Sequence, residues 1–140
     1  MPSKTHSLRE FGSLTLWKAR RLHRMKKLRH HLIGVDQGDV VLFSDFQNDG
    51  EMWTGHGPRR IARTVAFSEA FLEPPAVSVS LTMWDIADGA NARADVSAEE
   101  VTAEDFEIVF RTWGDTRVAR VRVGWTAVGE IADEDHWDIR

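Results

Sequence analysis

The 140-residue sequence contains no cysteine. Disulfides and thiolate chemistry are therefore excluded, and synthesis in a reducing compartment fits. It also lacks any apolar run near the ~18 residues that a transmembrane helix needs. Met1-Pro-Ser-Lys-Thr-His6 lacks the basic and apolar regions of a secretory signal. That predicts cytoplasmic synthesis, with association to a virion-like particle or export by a non-classical route as the ways to reach a surface. Catalytic signatures are missing too. There is no Gly-x-Ser-x-Gly elbow, no phosphate-binding glycine loop and no His-Glu-x-x-His pair, so the chain reads as non-enzymatic and without a cofactor.

Lysine is absent after Lys27, and this absence divides the charge. Residues 1–33 hold nine Lys or Arg against the single acid Glu10, a net charge of +8. Residues 34–140 hold nine Arg against 21 acids, a net charge of −12. An acidic body repels nucleic acid, so any such binding would have to sit in the arm. Three segments follow: a basic arm over 1–33, a body over 34–129 and an acidic tail over 130–140.

In the arm, Leu14, Trp17, Met25, Leu28 and Leu32 fall on one stripe at three- and four-residue steps, which predicts a helix over Leu14–Leu32. A single stripe on a short basic helix suits docking to a partner or assembly, ahead of binding to nucleic acid or anionic lipid and ahead of disorder. Adjacent residues on a helix face different ways, so the pair His30-His31 makes a poor metal site. Met25 is a candidate translation start, in which case residues 1–24 are not part of the protein.

The body reads as strands. Gly34–Gly38 breaks the helix, and Asp39–Phe43 is a short strand candidate. A glycine-punctuated polar loop follows over Ser44–Pro58, a common setting for a site, although its acids lack the spacing of a calcium loop. Arg60–Phe67 and Ala76–Trp84 alternate, with Val77, Val79, Leu81 and Met83 on one face of the latter. Pro74-Pro75 marks a corner between them. Asp85–Gly89 reads as a turn, Asn91–Val101 as extended, and Thr102–Asp105 as a helical turn or a β-turn. Two long runs then flank Trp113-Gly114-Asp115-Thr116, which reads as the tip of a hairpin. Six strands with short connections predict an antiparallel β-sandwich, an all-β fold. In the tail, Asp133, Asp135 and His136 offer cation ligands, against the plainer readings of an exposed tail or one docked on the arm.

A tryptophan at a strand end has two readings, packing in the core and contact with a ligand. Sugars present a rim of hydroxyls and one apolar C–H face. Their sites combine an aromatic plate, a planar bidentate donor and a carboxylate or amide acceptor. Trp113, Arg93, Asn91 and Asp115 supply that set, provided that the fold brings the Asn91–Arg93 stretch to the tetrad.

The order Val65-Ala-Phe67, Phe71, Pro74-Pro75, Val77-x-Val79-x-Leu81, Asp85, Asn91-x-Arg93, Phe106, Thr112-Trp113-x-Asp115-Thr116 and Trp125-x-Ala127-x-Gly129 resembles the H-type lectin domain. The resemblance runs from about Trp53 to Gly129. It implies a six-stranded antiparallel β-sandwich that assembles as a homotrimer, with shallow sites for galactose or N-acetylgalactosamine between subunits. It places Arg93 on the sugar hydroxyls and Trp113 along the ring, with the residues just after Trp113 contributing. It also assigns polar contacts to the loop Trp53–Gly57, where His56 is the best candidate. Some members carry a polar ring after the tryptophan, where this chain has Gly114. A second reading is a structural or adaptor trimer of a phage-like particle or fibre, using the lectin fold for assembly or host adhesion, with the basic arm as its docking element.

Overall fold

Alternation of side chains specifies the strands. In Ala76–Ile86, half-buried Val77, Val79, Leu81 and Met83 alternate with exposed Ser78, Ser80 and Thr82, as a sheet with one face on a core requires. The computed structural model describes residues 23–133. They form β1 (Ile33–Ser44), α1 (Asp45–Asn48), α2 (Glu51–Thr54), β2 (Arg59–Ala66), β3 (Ala76–Ile86), β4 (Asp95–Glu99), β5 (Asp105–Thr112) and β6 (Val118–Glu130). The strands make two three-stranded sheets, ordered β1-β6-β3 and β2-β5-β4, with every pairing antiparallel. The expected all-β sandwich is the fold observed.

The connections differ from the expectation. Of the sequential strand pairs, only β4 and β5 are hydrogen-bonded neighbours. Their turn is closed by Thr102, whose Oγ1 accepts from the N–H groups of Glu104 and Asp105 at 3.1 and 3.0 Å. This is a side-chain-closed turn and not a helical one. Trp113–Arg117 is therefore not a hairpin tip. β5 and β6 are the middle strands of opposite sheets, both edges of each are already paired, and the tetrad carries the chain from one layer to the other.

These two middle strands supply most of the core. Phe106, Ile108 and Phe110 of β5 face Val121, Val123 and Ala127 of β6, and all are fully buried. Phe67 stacks on Phe106 at 5.5 Å between ring centroids, and Trp125 meets Phe106 edge-on at 5.4 Å. β1 is longer than its expected Asp39–Phe43 because pairing with β6 overrides the weak strand propensity of Gly34 and Gly38. Gly38 lies opposite Trp125, and a Cβ there would approach the indole to 3.0 Å. The glycine that looked like a helix breaker gives the tryptophan room.

Residues 23–32 contain no helix, which corrects the expected Leu14–Leu32 helix over its described part; residues 14–22 lie outside the described residues. The domain takes up two N–H groups that a helix would use internally, and two side chains of the segment as well. The Arg29 and His30 N–H groups donate to the Glu130 carboxylate, Lys26 Nζ donates to the Pro74 carbonyl at 3.1 Å, and His31 Nε2 lies 2.7 Å from Asp133. The His30 and His31 rings stack at 4.6 Å instead of pointing apart. The start of the acidic tail thus docks on the end of the basic arm. Asp135 and His136 lie outside the described residues, and among the described residues no cluster of His, Asp and Glu fits a metal ion.

Truncating Phe106 to alanine should cost about 3–5 kcal/mol in urea unfolding, because the ring is wholly enclosed. Trp84→Ala, at a side chain 62% exposed, should stay within about 0.5 kcal/mol. Equal losses at the two positions would contradict the assignment of the core to the β5–β6 layers.

Candidate functional site

The site is assembled by threonines that grip main chain. Thr112 and Thr116 flank the inter-sheet crossover and are buried. Thr112 Oγ1 donates to the Arg93 carbonyl at 2.6 Å, and Thr116 Oγ1 donates to the Asn91 carbonyl. These two bonds bring the segment before β4 against the tetrad. The proximity of Asn91 and Arg93 to Trp113 that the sugar reading required is met by the fold. Asn91 takes part through its main-chain carbonyl.

With its backbone pinned, the Arg93 side chain crosses over Gly114. Its Nη1 donates to Asp115 Oδ1 at 2.7 Å and to Thr116 Oγ1 at 3.1 Å. Gly114 has φ +67°, and a Cβ there would stand 2.8 Å from Arg93 Nη1. A side chain at this position would be both strained and in the path of the guanidinium. Gly114 is thus a condition for the Arg93–Asp115 pair. The Arg93 guanidinium holds the Asp115 carboxyl below its usual range, helped by a backbone hydrogen bond and, more weakly, by the field of His56. Nε and Nη2 of Arg93 make no hydrogen bond among the described residues, and the side chain is 25% exposed.

The early loop joins from the other side. The Gly57 N–H donates to the Gly114 carbonyl at 2.9 Å, which sets exposed His56 beside Asp115. Beneath the junction lies Arg59, buried, a residue that the sequence reading did not single out. Its guanidinium donates to the carbonyls of Gly57 at 2.9 Å, Met52 at 3.0 Å, Gly114 at 3.1 Å and Thr116 at 2.8 Å. One cation thereby ties α2, the 55–57 loop and the crossover together. Its sequence signal was slight: an arginine opening a strand otherwise written in alternation.

Trp113 stands at the rim with 46% of its surface exposed, so plain core packing does not describe it. Trp53, in α2, is already engaged. Arg117 lies over its ring at 4.1 Å from the centroid, and Phe46 meets it edge-on at 5.1 Å. The crossover thus carries Trp113, Gly114 and Asp115; the Arg93 side chain and the Asn91 carbonyl bond to it, and His56 lies next to the residue bonded to Gly114.

Comparison with known proteins agrees with this architecture. The H-type lectin domain model matches residues 62–128. Discoidin-2 of Dictyostelium discoideum is 32% identical over 95 residues, covering 67% of this chain and 35% of its own. A Fuscovulum blasticum protein described as "ATP synthase subunits region ORF 7" is 51% identical over 107 residues, covering 76% of this chain and 93% of its own. The solved structure of recombinant discoidin II of Dictyostelium discoideum superposes with a TM-score of 0.61 at 27% identity, covering 78% of this chain and 41% of that one. The chain therefore spans about two-fifths of discoidin II. Residues 62–128 therefore belong to the H-type lectin domain family, and the sandwich is a lectin fold.

Two outcomes test the positioning. Arg59→Met leaves buried carbonyls without donors and should lower stability by at least about 3 kcal/mol, with faster amide exchange over residues 52–57. Asp115 has a depressed carboxyl, so its pairing with Arg93 is present above the ordinary carboxylate range and is lost only as pH falls through the lowered value. A pH titration of the Asp115 carboxyl by NMR should show the shift collapse in Arg93→Ala. An unchanged titration would remove Arg93 as its cause.

Proposed function

We propose that the protein is a non-enzymatic lectin that binds terminal galactose or N-acetylgalactosamine through a shallow site centred on Trp113. The observation that carries this reading is the fixed Arg93–Asp115 pair in the same crossover as the half-exposed Trp113 indole. Each part answers one feature of a sugar. The indole face takes the apolar C–H face, and the axial hydroxyl of galactose leaves that face continuous. The free Arg93 donors take adjacent hydroxyl oxygens in one plane, while the exposed Asp115 carboxylate accepts a hydroxyl proton. His56 closes the rim.

A site this open holds a monosaccharide weakly, so useful binding calls for several sites presented together, as in a homotrimer. Ile33, Val35 and Val41 are exposed along the edge strand β1, which gives apolar surface for assembly.

The test is a glycan array on the purified protein, paired with analytical ultracentrifugation. Wild type should bind galactose- and N-acetylgalactosamine-terminated glycans as a trimer. Trp113→Ala and Arg93→Ala should each lose at least about tenfold in binding while keeping fold and assembly, since the threonines hold the Arg93 main chain and not its side chain. Wild-type binding by both variants would refute the site. Absence of glycan binding by the wild type would refute the function.

A further inference from the structure

Arg93 and Asp115 lie on the β4 side of the crossover that carries Trp113. On the β2 side, across β5, lies an open cleft of about 320 Å³ lined by Pro58, Arg59, Arg60, Arg111, Thr112 and Trp113. Its size is at the lower end of small-ligand sites, enough for one further sugar unit beside the indole.

The charge of this cleft is one-sided. Three of its lining residues are arginines and none is an acid. Arg111 is neutralised, since its Nη1 lies 2.8 Å from Glu99 and 3.8 Å from Asp95, and Glu99 is held down at about 2 by hydrogen bonds from Arg111 and Ser97. Arg59 is solvated by carbonyl groups, which satisfy its donors without cancelling its charge. Arg60 is exposed and makes neither a hydrogen bond nor an ion pair among the described residues. It does act on Glu99 through space, but Arg111 and Ser97 already hold that carboxylate. Arg60 also lies directly opposite Arg111 in the β2–β5 register. Because Arg111 is already paired, Arg60 is the member of this cross-strand pair left to take an oxyanion.

We propose that this cleft receives the acidic substituent of a glycan, a carboxylate or a sulfate ester, carried by or next to the sugar that lies on Trp113. The inference rests on Trp113 being the sugar platform and adds the substrate class: acidic over neutral galactosides. Arg60 is the specificity-determining residue. Its guanidinium presents two parallel N–H donors to an oxyanion, with Arg59 beneath adding charge.

The experiment measures binding of lactose, sulfated lactose and sialyllactose to wild type, Arg60→Ala and Trp113→Ala at low and physiological salt. Wild type should favour at least one acidic ligand over lactose by about tenfold at low salt, with the preference shrinking as salt rises. Which acidic ligand gains separates sulfate from carboxylate recognition. Arg60→Ala should abolish the preference and keep lactose binding, and because Arg60 is exposed the variant should fold. Equal binding of neutral and acidic ligands by wild type would overturn the proposal and leave the lectin reading standing. So would a preference that survives in Arg60→Ala, or acidic binding that Trp113→Ala leaves untouched. If wild type binds none of the three, the lectin reading falls and this inference falls with it.

Discussion

A buried guanidinium without a carboxylate partner is the constraint on which the upper end of this molecule depends. Arg59 sits where three segments with no regular pairing of their own converge. Each brings carbonyl groups that neither sheet can satisfy. Unpaired, those groups would each cost about 1–3 kcal/mol on burial. One planar cation with five N–H donors meets most of them at once, which lysine's compact ammonium would not do. The threonines at 112 and 116 repeat the logic with hydroxyl groups. The surface that carries Trp113 is therefore rigid because its floor is a closed hydrogen-bond network, although the surface itself is made of loops.

Rigidity of that kind separates positioning from contact. The groups that place the site act on main chain: Thr112 on the Arg93 carbonyl, Thr116 on that of Asn91, and Gly57 on that of Gly114. The exposed groups, Trp113, Asp115, His56 and Arg60, carry little of the fold. A scaffold so divided tolerates exchange of its facing side chains, and loop surfaces on rigid sheets are where binding sites diversify.

The sandwich was legible in the sequence because its signal is local. Alternation over Val77–Met83 and Ala119–Ala127 survives in any context with one face on a core. Three features were not legible, each for a physical reason. The arm was read as a helix from its apolar stripe, but a stripe says nothing about Glu130, a residue distant in the chain whose carboxylate takes the Arg29 and His30 N–H groups. Gly34 and Gly38 were read as breakers, because only the register with β6 shows the bulk that they accommodate. The Trp113 tetrad was read as a hairpin, because a tight turn between two strands looks the same whether it joins neighbours or crosses between layers. Of the site, the chemistry of Trp113, Arg93 and Asp115 was readable from residue type and order. Arg59 was not, since a buried arginine and a surface arginine are written alike.

The two poles of the sandwich divide its labour. β6 starts at the tetrad and ends at Glu130, where it pairs with Ile33 and where the arm and the tail meet. Thirteen extended residues separate these points, roughly 40 Å. A tether attached through residue 23 or residue 133 would therefore leave from the base, and the crossover that carries Trp113 would lie at the end of β6 remote from whatever the domain is fixed to. Immobilised that way, the domain would offer its open face to the medium without linker engineering, a geometry suited to a sensor surface or a displayed array.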